Sequence, residues 1–438
     1  MEDIIKDEFF GELKFRENSW CKRMNAPLYN SEENLILAVQ DDNKEGILGV
    51  QREAYKTYLQ NADKYKKIVV DYLLDYYKWN YEYIASEVSD VNEKDHKDVV
   101  TETQLFEFMT LWYLFICRDG SFGYAFGCCW DVDNGLAVLL SEEEPRIISR
   151  TQLKNLHKIN DDTFGLLVHD GKENWKGLEY VTFSGKKENL EIELSGSVEE
   201  GITEAQQKAY VTYQQQKDAY FMQLTEVLSA ANAESTQTIQ PKTLYIDREG
   251  NMGWICYTNW DASYVGALFT GENILLVTDD QLKDMGEYRL TEDKTCGKLL
   301  VDDSFAGRIE IHSFLGKIQT LYLDFQLEDG KLTREQREAY KKYQKQNPKF
   351  WENIKDVMLD YYLSIYEDMV EFIDVPEGLE IENVTRDNVL NIVDFGRIYF
   401  TYDGRGCFLG ECPIGEEEGI GFEFTDGEIE IIEPSEIL

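Results

Sequence analysis

The sequence predicts an α+β protein of three tandem repeats, each an antiparallel sheet with two or three helices inserted between its N-terminal and C-terminal strands. Three observations carry this expectation. One helical stretch is written three times: Gln51 to Tyr58, Gln206 to Tyr213 and Gln336 to Tyr343 share Gln-x-x-Ala-Tyr-x-x-Tyr. Short apolar runs with strand-like alternation lie on both sides of every copy. A turn ending in glycine (Gly120, Gly250, Gly404) follows each copy and opens further strands. The tyrosine after alanine falls at 55, 210 and 340, spacings of 155 and 130 that suit a small domain rather than a solenoid unit. The expected division is 1–157, 158–290 and 291–438, the middle copy being degenerate.

Strands lead each repeat. Phe10-Gly11-Glu12-Leu13, Trp20 and Leu35 to Val39 recur in order as Phe164-Gly165-Leu166-Leu167, Trp175 and Leu190 to Leu194. In the third repeat Phe305 introduces Arg308 to Ile311 and Thr320 to Phe325. The helices come next. Thr203-x-x-Gln206 and Thr333-x-x-Gln336 are capping sequences, in which the hydroxyl takes a free amide of the first turn and the glutamine reaches back to the cap. Asn347-Pro348 reads as a break, with a restart through Trp351, Ile354, Met358, Tyr361 and Ile365 on one face. A further short helix is expected after Thr101 and after Thr385. The middle repeat is shorter: Tyr210 to Gly250 is 40 residues, against 65 for Tyr55 to Gly120, and a loop over 235–241 replaces that helix. Closing strands follow the turn glycines and a second set, Gly135, Gly266 and Gly419, ending in the alternation Glu428 to Glu433 of an edge strand.

Composition narrows the function. The chain has 438 residues, 43% apolar and 13% aromatic, with only 7 prolines, enough to bury a core in each repeat. It carries 84 acidic against 44 basic residues, a formal charge of −40. That charge repels phosphate backbones and anionic membranes, so neither nucleic acid nor membrane is an expected partner, and a basic protein is. The N-terminal stretch has no basic and apolar leader, and the run Leu105 to Cys117 is too short to span a bilayer, so a cytoplasmic location is expected. The 8 cysteines share no framework between repeats and read as reduced thiols.

Few residues suggest chemistry. Asp131-Val132-Asp133-Asn134-Gly135, with Glu142 twelfth, superficially resembles a calcium loop, but its glycine is misplaced and a β-turn is the preferred reading. Trp130-Asp131 is echoed by Trp260-Asp261. Candidate binding residues are therefore Trp130, Asp131, Asp133, Trp260 and Asp261, with Tyr55 and Tyr340 as possible groove aromatics that at i, i+3 from Tyr58 and Tyr343 also fit a core face. The four histidines occupy unrelated positions, and no zinc spacing, phosphate-binding loop or nucleophile elbow occurs, so no catalytic residue, cofactor or metal is expected.

The order Phe-Gly-x-Leu, tryptophan, Gln-x-x-Ala-Tyr helix, Leu74-Asp75-Tyr76-Tyr77 and Trp130-Asp131-x-Asp133-x-Gly135-Leu136 resembles a family of uncharacterised bacterial α+β domains similar to immunity proteins, which neutralise toxins. The likeness is best over 7–153, and the third repeat lacks the Trp-Asp pair. It implies a non-enzymatic acidic protein-binding module directed at a basic partner or toxin. The alternatives are a metal-dependent hydrolase using Asp131 and Asp133, or an acidic mimic of nucleic acid.

Overall fold

The computed structural model describes residues 3–24, 35–81, 84–85, 101–141, 145–183, 186–230, 238–260, 263–314, 317–370, 375, 378–414, 419–425 and 428–437. These build three eight-stranded sheets. The first holds β1 (Ile4–Asp7), β2 (Gly11–Arg16), β3 (Ser19–Met24), β4 (Leu35–Gln40), β5 (Met109–Ile116), β6 (Phe122–Cys128), β7 (Asp131–Leu139) and β8 (Arg146–Ser149). Helices α1 (Gly49–Trp79) and α2 (Glu102–Phe108) lie between β4 and β5, and α3 (Arg150–Lys154) follows β8.

The second sheet repeats the plan. It comprises β9 (Lys158–Asp161), β10 (Gly165–His169), β11 (Asn174–Phe183), β12 (Lys186–Ser195), β13 (Ile239–Ile246), β14 (Met252–Thr258), β15 (Tyr264–Thr270) and β16 (Asn273–Val277), with α4 (Glu204–Ala230) before β13 and α5 (Asp279–Lys283) after β16. The third comprises β17 (Arg289–Asp293), β18 (Gly297–Val301), β19 (Phe305–Phe314), β20 (Lys317–Gln326), β21 (Asp394–Phe400), β22 (Gly406–Glu411), β23 (Ile420–Thr425) and β24 (Glu428–Ile432), with α6 (Arg334–Met369) before β21. By compactness the chain forms two bodies, residues 1–177 with 196–201, and 178–195 with 202–438.

Strands neighbour one another in chain order in every sheet. The expected antiparallel sheet needs one correction, repeated three times: β4 and β5, β12 and β13, and β20 and β21 pair in parallel. Parallel neighbours need a crossover, and the helical insert supplies it. Sequence alternation marks the strands on either side of a helix but is blind to the direction in which the chain re-enters the sheet.

Further corrections concern the helices and the strands. The expected break at Pro348 is absent, because α6 runs unbroken from Arg334 to Met369. Phe350, Trp351, Ile354, Met358 and Tyr362 bury one continuous face, and such packing outweighs the roughly 3 kcal/mol that an interior proline costs. After Thr385 the chain makes turns and a 3-10 segment, Val389–Ile392, where a short α-helix was expected. Thr101, by contrast, caps α2 as expected, accepting from the Gln104 amide. Of the loop expected over 235–241, residues 235–237 lie outside the described set and 239–241 begin β13. Finally, the third-repeat counterpart of Phe10-Gly11 is Cys296-Gly297 and not Phe305. Asp7, Asp161 and Asp293 each accept two amides of the turn before Gly11, Gly165 and Gly297.

The repeated glutamine is what joins helix to sheet. Gln51, Gln206 and Gln336 are all fully buried. Each Oε1 accepts from the amide three residues earlier, at Leu48, Thr203 and Thr333, 2.9 Å in every case. Each Nε2 donates back to the strand before the helix, to the carbonyls of Gln40, Ser195 and Gln326. Gln206 and Gln336 also donate to Ile246 and Phe400, the last residues of the parallel partners β13 and β21. One side chain thus satisfies a helix cap and the ends of two parallel strands. The turn glycines lie against the same corner. Gly120, Gly250 and Gly404 have φ of +88°, +89° and +88°, and a Cβ on Gly250 or Gly404 would meet helix-start backbone at 2.9 or 3.0 Å. Position and conformation both require glycine there.

Candidate functional site

The sequence candidates occupy structural positions. Tyr55 is buried, stacked on Phe10 with centroids 4.7 Å apart and on Tyr58 at 6.2 Å, so the i, i+3 pair forms core. Trp130 is buried against the edge of Tyr77. Asp131 Oδ1 accepts from the Asn134 amide at 3.0 Å and from Asn134 Nδ2 at 3.1 Å, the side-chain-to-backbone turn that aspartate favours. The Asp133 carbonyl accepts from Arg150 Nη2 at 2.8 Å while its carboxylate side is exposed. Trp260 donates from Nε1 to Thr320 Oγ1 at 3.1 Å. Asp261 and Glu142 lie outside the described residues. The described candidates thus serve packing, a turn or a single hydrogen bond where they stand.

Tyr340 leads to the densest polar cluster. Residues 308, 310 and 312 alternate along β19 and so share the face toward α6. Arg308 Nη2 lies 2.6 Å from the Tyr340 hydroxyl and 2.6 Å from Glu310 Oε1. Glu310 Oε2 is 3.1 Å from His312 Nε2, which is 3.4 Å from the Tyr343 hydroxyl. Gln344 Nε2 donates to the Tyr340 hydroxyl at 2.9 Å. Burial disfavours the Glu310 charge, but the hydrogen bond with His312 and the Arg308 charge outweigh it and hold the carboxyl at about 2. Burial with the nearby carboxylate pushes the Tyr340 hydroxyl up to about 12. An ionised acid with its lone pairs engaged and a tyrosine that keeps its proton form an ion network that ties strand to helix.

The second sheet carries a cognate. Glu179 Oε1 accepts from Gln214 and Lys217 at 2.8 Å each, and Tyr210 donates to Oε2 at 3.4 Å. Glu179 and Glu310 are both four residues past corresponding strand positions, Trp175 and Ala306, and Gln214 and Gln344 are both four residues past the helix tyrosine. In the first sheet Met24 takes the acid's place, and Lys22 sits 5.7 Å from the Tyr55 ring while donating to the Phe10 carbonyl at 2.6 Å. Sequence reasoning missed these acids, although their fixed offsets from Ala-Tyr and from the strand start were available as a signal.

All eight cysteines are free thiols. Burial raises the thiols of Cys128 and Cys296 to about 12 and those of Cys117, Cys256 and Cys407 higher still, which suppresses the reactive thiolate. Among the described residues no three His, Cys, Asp or Glu side chains are grouped to hold a metal ion. No described helix is long and apolar enough to cross a membrane.

The fold and these contacts define an α+β protein built on three like sheets, two of which place an acid, a helix tyrosine and a glutamine at matching positions. The chain belongs to the family described as Domain of unknown function (DUF6985), whose profile matches residues 9–152 and again 295–438. The two matches open at Phe9 and Thr295, each just before the Phe10-Gly11 and Cys296-Gly297 turns that correspond in the structure. The middle sheet has the same strand order and parallel pair although the profile does not reach it. No curated protein and no solved structure matches the chain.

Proposed function

We propose that this protein is a non-enzymatic acidic binding module of the bacterial cytoplasm, of the immunity type, whose partner is a basic protein or toxin. The observation that carries the reading is the charge, 84 acidic against 44 basic residues over three related folding units, taken as 1–157, 158–290 and 291–438. A potential of that sign speeds encounter with a cationic surface and rejects anionic ones. Supporting it, the tyrosines and tryptophans of the repeated motif serve packing, and Asp131 serves a turn. The test is capture of partners from a native lysate followed by salt titration. The expected result is a basic protein whose capture weakens steeply as ionic strength rises. Recovery of no basic protein, or capture indifferent to salt, overturns the reading.

A further inference from the structure

The first sheet has two faces with different cover. Its front is sealed by α1, with Leu13, Trp20, Leu37, Val39, Leu114 and Ile116 in one core. Behind β5 to β7, Leu153 of α3 and Val168 pack on Phe115, Ala125, Ala137 and Leu139. The α3 helix ends at Lys154, and behind β2 to β4 the described residues leave a cavity of about 650 Å³. Drug-sized ligand sites run roughly 300–1,000 Å³.

Strand register fixes what faces this cavity. Lys14, Cys21, Ala38 and Phe115 form one cross-strand row. Arg16, Ser19 and Gln40 form the row on one side of it, and Arg23, Ile36 and Tyr113 the row on the other. Each row therefore has a cation at the β2 or β3 end, and two of them run to an apolar or aromatic residue on β5. Lys154 closes the wall, its ammonium 5.6 Å from the Tyr113 ring. Gln40 fixes that wall by donating to the Lys154 carbonyl at 3.1 Å while accepting from the Arg118 amide at 3.0 Å.

The sign of the lining is the opposite of the chain's. Four cations, Lys14, Arg16, Arg23 and Lys154, line the cavity against the carboxylates of Glu12, Glu17 and Asp42, in a protein whose acids outnumber its bases 84 to 44. Arginine forks suit carboxylate and phosphate oxygens, and the Ile36, Tyr113 and Phe115 floor suits a flat apolar body. We propose that the back of the first sheet is a binding site for a small organic anion with an aromatic body, an aryl phosphate or aryl carboxylate. This is independent of the acidic-surface reading, which concerns a cationic partner elsewhere on the protein.

The full-length protein is titrated by calorimetry and ligand-observed NMR with phenyl phosphate and benzoate, using benzyl alcohol and inorganic phosphate as comparators. The expected result is saturable binding of an aryl anion, at least about tenfold tighter than benzyl alcohol and than inorganic phosphate. Arg23→Glu is expected to weaken it about tenfold or more, and Arg23→Lys, which keeps the charge, to retain it within about threefold. Absence of saturable binding by both aryl anions overturns the proposal, as does equal binding of benzyl alcohol, equal binding of inorganic phosphate, or indifference to Arg23→Glu in a folded variant. Should the variants lose their fold by circular dichroism, the comparison of charged, neutral and bare-anion probes on the unaltered protein decides.

Discussion

Arg308 and Tyr340 meet at 2.6 Å, a guanidinium from the third strand of the third sheet donating to a hydroxyl of the helix that crosses it. The same nitrogen holds Glu310, so strand and helix are joined through a partly buried charge and not by apolar contact alone. That junction makes stability depend on pH in a defined direction.

Glu310 titrates at about 2 in the folded protein against an ordinary 4.5. A depressed acid stabilises the fold fully above the unfolded value, and the contribution is lost as pH falls from about 4.5 towards 2. The amount is on the order of 3 kcal/mol. The protection factors of β19 amides, observed exchange corrected for the intrinsic rate at each pH, are expected to fall over that window, and Glu310→Gln to lower protection at pH 7 close to the acid level. Protection factors that stay unchanged from pH 5 to pH 2 count against this assignment.

Asp324 has the opposite sign. It is 3% exposed, its Oδ1 has no hydrogen-bond partner among the described residues, and Arg397 stands 3.8 Å from Oδ2. Burial pushes its carboxyl up to about 6 from 3.8. A raised acid favours the fold below the unfolded value and loses that advantage as pH rises through about 6. Asp324→Asn is therefore expected to stabilise the protein at pH 8 by about 2–3 kcal/mol and to be nearly neutral below pH 4. Denaturant midpoints at the two pH values measure the difference, and equal effects at both would refute it.

Gln336→Ala leaves the Gln326 and Phe400 carbonyls and the Thr333 amide without their shared partner. Each buried group left unmade costs about 1–3 kcal/mol, so a loss of roughly 3 kcal/mol or more is expected by chemical denaturation. Gln336→Glu keeps the acceptor but removes both donors, and it is expected to be at least as damaging because it buries a charge.

Gly404→Ala adds a Cβ about 3.0 Å from Glu335 backbone at a φ of +88°. A destabilisation of about 2 kcal/mol or more is expected, read as a lowered melting temperature. Alanine at Gly378, also at positive φ but with nothing within 4 Å, isolates the conformational part and is expected to cost about 1 kcal/mol.

Much of the fold was legible because its signals are local. The helix start, its capping threonines and the turn glycines all sit within a few residues of their partners, and the glutamine and glycine signatures fall on fully buried or left-handed positions. What escaped is decided at long range. Strand direction across the helix, the continuity of α6 through Pro348 and the matching acids Glu179 and Glu310 depend on surfaces brought together only by folding. The anionic-ligand cavity was illegible for a related reason. Lys14, Arg23 and Lys154 are scattered in a mostly acidic chain, and only sheet register assembles them on one face.

Each sheet consists of two hairpin-built halves meeting at a single parallel seam. An insertion inside a strand turns every side chain beyond it to the wrong face, so register holds the strands, while the hairpin connections do differ, two residues between β15 and β16 against six between β7 and β8. The seam is bridged instead by a helical arch, and its three versions have helices of 31, 27 and 36 residues over the same strand order. Growth, loss and grafting of sequence are thus tolerated at the arch, and that is where one copy of this fold can diverge from another without disturbing the sheet beneath.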